Sequence, residues 1–213
     1  MESEADPLLY LLDEKSERTV HGRRVVLGKI DGRDLGVVVC GVGKTNAAAG
    51  AQYAIDCLGA DKIVNIGVAG GLNTGTEVGK IYCISHAVQY DFDLVQLNKT
   101  HIGTLNEYKE PYLKLAVCPL FAQKRLATGD RFNDSKRDFM LLTDVLQADI
   151  RDMEGGAIAH VCAHADVPFY SFKAISDVAG AGSTTKQFAL NLALCAKNLG
   201  ENMLAIFQAV DNG

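Results

Sequence analysis

The chain has 213 residues, of which 48% are hydrophobic, and a formal net charge of −5. This length and composition suit one large α/β domain with a substantial apolar core. Lysine and arginine are scattered without forming a basic stripe, which excludes the electrostatic footprint of a nucleic-acid-binding protein. No apolar run is long enough to span a bilayer, so a small molecule is the expected partner.

The cysteine pattern and the first residues indicate where the protein works. The six cysteines have no paired spacing and mostly fall in apolar segments, which is typical of reduced thiols in a cytoplasmic protein. The opening residues MESEADPLL are acidic and lack the basic-then-apolar order of a signal peptide. We therefore expect a cytoplasmic protein.

Hydrophobic periodicity in the first half predicts strands and one helix. Residues 24–30 and 35–40 are predicted strands, joined by a turn at 31–33 that is typical of a hairpin. The following elements are an alanine-rich helix over 46–58 and strands over 62–66 and 80–88. The polar segment 89–119 is long for a compact domain, so we expect it to be a lid or to reach a partner's site with Pro111 or Tyr112.

The second half predicts a strand–helix–strand unit between two further helices. The predicted elements are a helix over 135–146, a strand over 148–153, a helix over 157–165, a strand over 169–175 and an amphipathic helix over 184–210. We interpret 148–175 as a βαβ unit with parallel strands. Glu154 and Asp177 then follow the two strand ends, where open α/β sheets bind ligands. Alternatively, Glu154 starts a helix and Asp177 caps a turn, but two acids in one crossover favour a site.

Two glycine clusters also follow predicted strands. The string GVGKT at 41–45 is similar to the end of a phosphate-binding P-loop, but that motif needs glycine where Val38 stands. A dinucleotide fingerprint fails as well, because no third glycine occurs at the required spacing. Glycine here indicates instead that the backbone approaches a ligand closely.

One helix carries three residues that bind metals in other proteins. His160, Cys162 and His164 lie close in sequence, yet a helix turns Cys162 away from the two histidines. A zinc site would need a further ligand that the sequence does not supply. The sequence therefore favours a surface helix without a metal.

Five segments together carry a family resemblance. In chain order they are GVGKTNAAAG, NIGVAGG, ATGDRF, DMEGGAIAHVC and KAISDVAG. Their order and separation resemble the nucleoside phosphorylase and nucleosidase superfamily, most of all the bacterial 5'-methylthioadenosine/S-adenosylhomocysteine nucleosidases. The resemblance implies a single-domain three-layer α/β/α sandwich with a mixed twisted central sheet, usually a homodimer, without metal or cofactor. It also implies hydrolysis of the N-glycosidic bond that joins adenine to a 5'-thio-substituted ribose.

The resemblance implies a role for each matching residue. Asp177 would be the general acid that protonates adenine N7, with Ser176 orienting it. Met153 and Glu154 would lie beside the ribose, where the Glu154 carboxylate accepts hydrogen bonds from both ring hydroxyls. The remaining matches are Phe132 stacking on adenine, Asn133 reading the base edge through backbone groups, Val68, Ala69 and Gly70 beneath sugar and base, and Phe188 lining the 5'-alkylthio pocket. For Phe132 the alternative is ordinary core packing.

The resemblance also implies that Glu4 activates the attacking water. Family members have a short apolar strand before the segment that matches residues 1–4, and this sequence begins at that segment. We therefore expect the central sheet to lack one strand, which another element or a second chain would replace. Glu4 is then expected on a free, poorly ordered end.

Two alternatives to hydrolysis remain. Phosphorylases of the superfamily bind phosphate through arginines near the early glycine loop, whereas only Lys44 follows that loop here. Hydrolysis is favoured over phosphorolysis on this ground. The second alternative is a nucleoside-binding remnant that has lost catalysis together with the strand.

Overall fold

A computed structural model describes residues 1–72 and 75–211. These residues form both strands and helices. The strands are β1 (Asp13–Val20), β2 (Arg23–Ile30), β3 (Arg33–Val39), β4 (Ile63–Gly71), β5 (Ile81–Gln89), β6 (Leu113–Lys114), β7 (Gln123–Thr128), β8 (Ile150–Asp152) and β9 (Phe169–Val178). The helices are α1 (Glu2–Leu11), α2 (Lys44–Leu58), α3 (Val95–Asn98), α4 (Lys136–Met140), α5 (Gly155–Ala165) and α6 (Thr184–Asp211). A π-helical turn, Leu141–Val145, follows α4.

The strands form two sheets. Strands β1, β2 and β3 form an antiparallel meander, and the predicted hairpin is confirmed by positive φ angles at Asp31 and Gly32. The larger sheet is mixed, with the order β6-β5-β7-β8-β4-β9. Because β9 also pairs with β5, this sheet closes on itself. The predicted mixed central sheet is therefore confirmed, and its closure is an addition to the prediction.

Helices pack on both faces of the larger sheet. On one face, small side chains of α2 and α5 such as Ala51 and Ala157 share a core with Ile84. On the other face, Leu199 and Ile206 of α6 pack with Phe172. The small residues let α2 and α5 lie close together, and the three predicted layers are confirmed.

The predicted parallel relation of the two strands around α5 is wrong. Strand β8 runs parallel to β7 but antiparallel to β4, whereas β9 runs parallel to β4. β8 and β9 therefore run in opposite directions. The crossover rule applies to parallel strands of one sheet, and the three-residue β8 takes its direction from β7 instead. Helix α1 and strands β1 and β7 were not predicted; β1 is almost fully exposed and therefore shows no apolar alternation.

A cavity separates the two sheets. Strands β3 and β4 are joined by α2, yet no pairing links them among the described residues. Between them lies a cavity of about 860 Å³, lined by both strands and by residues of α1, α2 and α6. Among the described residues, β3 is an edge strand and β4 pairs with β8 only through Gly70 and Gly71, so both strands leave an open backbone edge toward the same space.

Three further features bear on location and partners. All six cysteines, which lie within the described residues, are free thiols. Within residues 1–72 and 75–211, none of the helices is both long and apolar enough to cross a bilayer. Tyr112, expected to reach a partner, donates its hydroxyl to the Leu146 carbonyl of its own chain at 3.0 Å.

Candidate active site

Asp177 is a buried carboxyl group near the end of β9. Its side chain accepts a hydrogen bond at Oδ1 from Ser176 Oγ at 2.8 Å, while Oδ2 has no donor among the described residues. Arg151 Nη2 lies 3.9 Å from Oδ2, beyond hydrogen-bonding distance. Burial raises the pKa of Asp177, against the lowering effect of Ser176 and Arg151. The site therefore favours a carboxyl that keeps its proton and has one oxygen available to donate it.

Arg151 joins Asp177 to the segment after β7. Its Nη1 donates to the Asn133 carbonyl at 2.8 Å. The Asn133 side chain donates in turn to Asp138 at 2.9 Å. The carbonyl of Asn133, expected to read the base edge, is thus already held in place by Arg151. The arginine was not singled out from the sequence, because only the pairing of β8 with β4 brings it to Asp177.

Glu154 precedes α5 and points toward the early glycine loop. Its Oε1 accepts the Gly43 amide at 2.9 Å, and its Oε2 accepts the Met153 amide at 3.3 Å. Burial and the negative charge of Asp152 raise the pKa of Glu154, while Lys173 and the Gly43 amide lower it. The carboxylate is therefore held by two backbone donors, which keep it oriented with acceptor capacity left over.

Lys173 is a buried cation in the middle of β9. Only 2% of it is exposed, and its Nζ lies 3.0 Å from Asp152 Oδ2. Burial alone would lower the pKa of Lys173, but Asp152, Glu154 and Glu4 together raise it. A single lysine thus interacts with the charges of three carboxylates. A lone charge in the apolar run FYSFKAIS was the available signal for this residue.

Asp152 connects the lysine to the backbone of the site. Its Oδ1 accepts from Thr128 Oγ1 at 2.5 Å, and its Oδ2 accepts from the Gly155 amide at 2.9 Å. With Lys173 as a third partner, the buried carboxylate is fully bonded. Asp152 therefore supports the site and has little capacity left for a ligand.

Glu4 reaches the same cluster from α1. Its Oε1 accepts the Val68 amide at 2.7 Å, and only 13% of its side chain is exposed. A Cβ atom added at Gly67 would lie 2.8 Å from this oxygen and 3.6 Å from Lys173 Nζ. The expectation that Glu4 lies on a poorly ordered end is wrong, because α1 and the open edge of β4 fix its carboxylate.

Strand β4 sets the spacing between the two acids. Glu4 contacts β4 at residues 67 and 68, and Asp177 pairs with Gly70. At about 3.3 Å per residue, the two contacts lie roughly 7–10 Å apart along the strand. The two carboxylates therefore contact the strand at different points. Val68, Ala69 and Gly70 span the interval between these contacts.

Two aromatic rings meet beside Asn133. Half of Phe132 is exposed, so the alternative that it packs in the core is wrong. Its ring lies edge-on to Phe188, with centroids 5.7 Å apart. Thr184 at the start of α6 donates to Asp134 at 2.6 Å and fixes α6 to this segment. The two aromatic residues selected from the sequence are therefore neighbours, with Phe132 free to stack on a flat ligand.

Carboxylates already pair with the hydrogen-bond donors of the early glycine loop, residues 41–45. The Gly43 amide donates to Glu154, and the Lys44 amide donates to Asp130 at 2.8 Å. Lys44 Nζ forms an ion pair with Asp91 at 2.5 Å. An anion at the start of α2 would have to displace three carboxylates, so this loop is a poor phosphate site.

Comparison with known proteins agrees with this geometry. A family model described as Phosphorylase superfamily matches residues 1–208. A 5'-methylthioadenosine/S-adenosylhomocysteine nucleosidase from Haemophilus influenzae (strain PittEE) is 31% identical over 215 residues, covering 92% of this chain and 91% of the relative. The corresponding nucleosidase from Geobacillus thermodenitrificans (strain NG80-2) is 28% identical, covering 100% of this chain and 95% of the relative.

A solved structure of a nucleosidase also matches the fold of this chain. The 5'-methylthioadenosine/S-adenosylhomocysteine nucleosidase from Colwellia psychrerythraea 34H, in complex with adenine, superposes with a TM-score of 0.86 at 27% identity. The match covers 93% of this chain and 87% of that structure. The family resemblance found in the five sequence segments is thereby confirmed. The chain belongs to the phosphorylase superfamily and, within it, to the 5'-methylthioadenosine/S-adenosylhomocysteine nucleosidase family.

Proposed function

We propose that this protein hydrolyses the N-glycosidic bond of 5'-methylthioadenosine and S-adenosylhomocysteine, releasing adenine and a 5'-thio-substituted ribose. The observation that carries the proposal is Asp177, a buried carboxyl with a raised pKa and one oxygen without a donor among the described residues. An N-glycosidic bond to adenine breaks readily only when the leaving base is protonated. A carboxyl whose pKa is raised by burial holds its proton to higher pH and can supply it to the base.

Asp177 and Glu4 divide the chemistry of the reaction. Asp177 donates its proton to adenine N7 as the bond between C1' and N9 breaks and its electron pair passes to the base. Water then adds to C1' of the cation-like ribose, and its proton passes to the Glu4 carboxylate. The spacing along β4 supports these roles, because Glu4 contacts the strand at residues 67 and 68 and Asp177 contacts it at Gly70.

Glu154 binds the ribose hydroxyls in this scheme. The Gly43 and Met153 amides hold its carboxylate, and the remaining acceptor positions suit two vicinal hydroxyl donors. Lys173 has a positioning role, since its buried charge attracts the carboxylates of Glu154, Asp152 and Glu4. Ser176 orients Asp177 through their hydrogen bond.

Phe132 stacks on adenine, and Phe188 lines the pocket for the 5'-alkylthio group. The exposed face of Phe132 and its contact with Phe188 support both roles. Backbone groups of Asn133 read the edge of the base, from a position stabilised by Arg151. The ligand would therefore extend from Asp177 at its base to Phe188 at its 5' end.

Hydrolysis is favoured over phosphorolysis because the cation of the early glycine loop, Lys44, is already paired. Lys44 is paired with Asp91, and the amides of residues 43 and 44 are bonded to carboxylates. A phosphate dianion at this loop would meet negative charge. Water, which is neutral, meets no such barrier.

We also propose that residues 1–213 form one phosphorylase-like domain in which the space between β3 and β4 is an unfilled strand position. The cavity of about 860 Å³ between two open strand edges supports this proposal. A homodimer is proposed as well, supported by the exposed apolar side chains Val95 and Leu97 in the long segment after β5. The free thiols, including exposed Cys57, support a cytoplasmic location.

The direct test is incubation with 5'-methylthioadenosine, with and without phosphate, followed by chromatography for adenine. Hydrolysis predicts equal adenine release in both reactions and a free 5-methylthioribose product. Dependence on phosphate, with a sugar phosphate as product, would instead identify a phosphorylase. Stabilisation by the nucleoside without release of adenine would identify a binding protein. Glu4→Gln tests the base: it should slow release while adenine still binds.

A further inference from the structure

A three-residue cluster lies on the outer side of α5, away from the proposed active site. His160 and His164 are one helical turn apart, and their Nε2 atoms are separated by 3.0 Å. Glu107, from the segment between β5 and β6, places its Oε1 atom 3.6 Å from His160 Nε2 and 3.4 Å from His164 Nε2. Cys162 points the other way and is fully buried. The further ligand that the sequence analysis could not identify is therefore Glu107, which lies 53 residues before His160.

The three atoms have the spacing of ligands around one metal ion. Zinc binds histidine nitrogen and carboxylate oxygen at about 2.0–2.2 Å in a tetrahedron, so neighbouring ligand atoms lie about 3.3–3.6 Å apart. The observed separations of 3.4 and 3.6 Å fall in that range, and the separation of 3.0 Å lies slightly below it. Without a cation, two imidazole nitrogens and a carboxylate at these distances are held together only by shared protons.

We propose that Glu107, His160 and His164 form a binding site for Zn²⁺, with water as the fourth ligand. Two histidines and one carboxylate are a ligand set that zinc accepts. The ion would connect the segment that carries Glu107 to α5, and thereby the long connection after β5 to the body of the domain. The site is separate from the hydrolytic reaction and supplies no step of it.

Gln89 and Tyr108 lie against the histidines of the cluster. The side-chain amide of Gln89 lies 3.4 Å from His160 Nδ1. The same amide nitrogen lies 3.4 Å from the Gly156 carbonyl oxygen, so Gln89 connects His160 to the backbone of α5. The Tyr108 ring packs edge-on against both histidines, at 6.1 and 6.3 Å between centroids, and limits their rotation.

Metal binding is tested by calorimetry and thermal unfolding of the full chain with ZnCl₂. A Cys57→Ser background removes the exposed thiol as a competing ligand. We expect one Zn²⁺ per chain and, at a hundredfold excess over Kd, a melting temperature raised by roughly 5–10 °C. Co²⁺ in place of Zn²⁺ should give the visible absorbance of a tetrahedral site without a thiolate charge-transfer band.

His164→Ala and Glu107→Gln should each weaken binding at least tenfold and abolish the thermal shift. His101→Ala is the matched control, because this exposed histidine lies in the same segment as Glu107, and it should leave both unchanged. Adenine release should not depend on Zn²⁺. The proposal is overturned by the absence of stoichiometric binding, by a thiolate band, or by equal affinity in the His164 and Glu107 variants.

Discussion

The Asp177 carboxylate lies so close to Gly70 on the adjacent strand that a Cβ atom added at Gly70 would come within 2.8 Å of Oδ2. The same atom would lie 3.2 Å from Arg151 Nε. The two residues are also register partners in the pairing of β4 with β9. A glycine on β4 therefore keeps space open around the oxygen that we propose as the proton donor.

Replacing Asp177 by asparagine should lower kcat about 10²- to 10⁴-fold while nucleoside binding survives. The amide keeps the size and a hydrogen-bonding capacity but carries no acidic proton. Adenine release and a binding titration with the substrate measure the two quantities. Ser176→Ala is the matched control for this position, and its smaller loss should reflect only a less well oriented acid. Turnover of Asp177→Asn within a few-fold of the parent would refute the assignment.

The same substitution should change stability in a pH-dependent way. Burial raises the pKa of Asp177 in the folded protein, so folding disfavours the charged carboxylate. This group's contribution to stability is full below the unfolded value of about 3.9 and is lost as pH rises through the folded pKa. Asp177→Asn should therefore unfold at higher denaturant concentration than the parent at neutral pH. The difference should shrink toward pH 4, and a constant difference would contradict the raised pKa.

Glu154→Gln should weaken ribonucleoside binding and slow hydrolysis. Glutamine carries an NH₂ group in place of one carboxylate oxygen, so a donor would face a ribose hydroxyl. A hydrogen bond to a charged group contributes about 1.5–3 kcal/mol. The comparison substrate is the 2'-deoxy analogue, which already lacks one hydroxyl and should lose less. KM and kcat for both substrates measure the effect, and an equal response of the two would refute the ribose contact.

Lys173→Met should destabilise the protein strongly, because it leaves Asp152, Glu154 and Glu4 without their buried cation. Removing one member of a buried ion pair typically costs about 3–5 kcal/mol. Denaturant unfolding measures the loss. Lys80→Met is the control, since Lys80 pairs with Glu77 on the surface and its loss should change little. Equal effects of the two would mean that Lys173 is dispensable to the cluster.

Filling the space between β3 and β4 should stabilise the protein and increase adenine release. Met1 lines this cavity, so a short apolar β segment added before Met1 can enter it and pair with both open edges. Such a strand would also restrict the motion of α1, which carries Glu4. A glycine-serine extension of equal length is the control. Without the added strand we expect the protein to self-associate, which light scattering measures. A stable monomer whose stability and adenine release do not change with the extension would contradict this interpretation.

Local patterns were sufficient to predict several elements, and the family resemblance selected the residues that we propose for the site. The hairpin turn, the alanine-rich α2 and the long α6 follow from short-range periodicity and turn residues, and all three predictions are confirmed. Glu154 and Asp177 were recognisable because each follows a strand predicted from the sequence and each lies in a segment typical of the family. In the structure Asp177 lies within β9, which extends to Val178.

The tertiary structure decided what depends on contacts between distant segments. The direction of β8 is set by its pairing with β7, the exposed β1 exists because β2 pairs with it, and Glu4 is held by an amide of β4. Glu107 meets His160 only because the chain folds the intervening residues between them. The sequence alone therefore selected, through its resemblance to the family, the residues that we propose for the acid, the base and the ribose contact. Their mutual distances, and with them the raised pKa of Asp177, follow from burial and strand pairing, which no local pattern encodes.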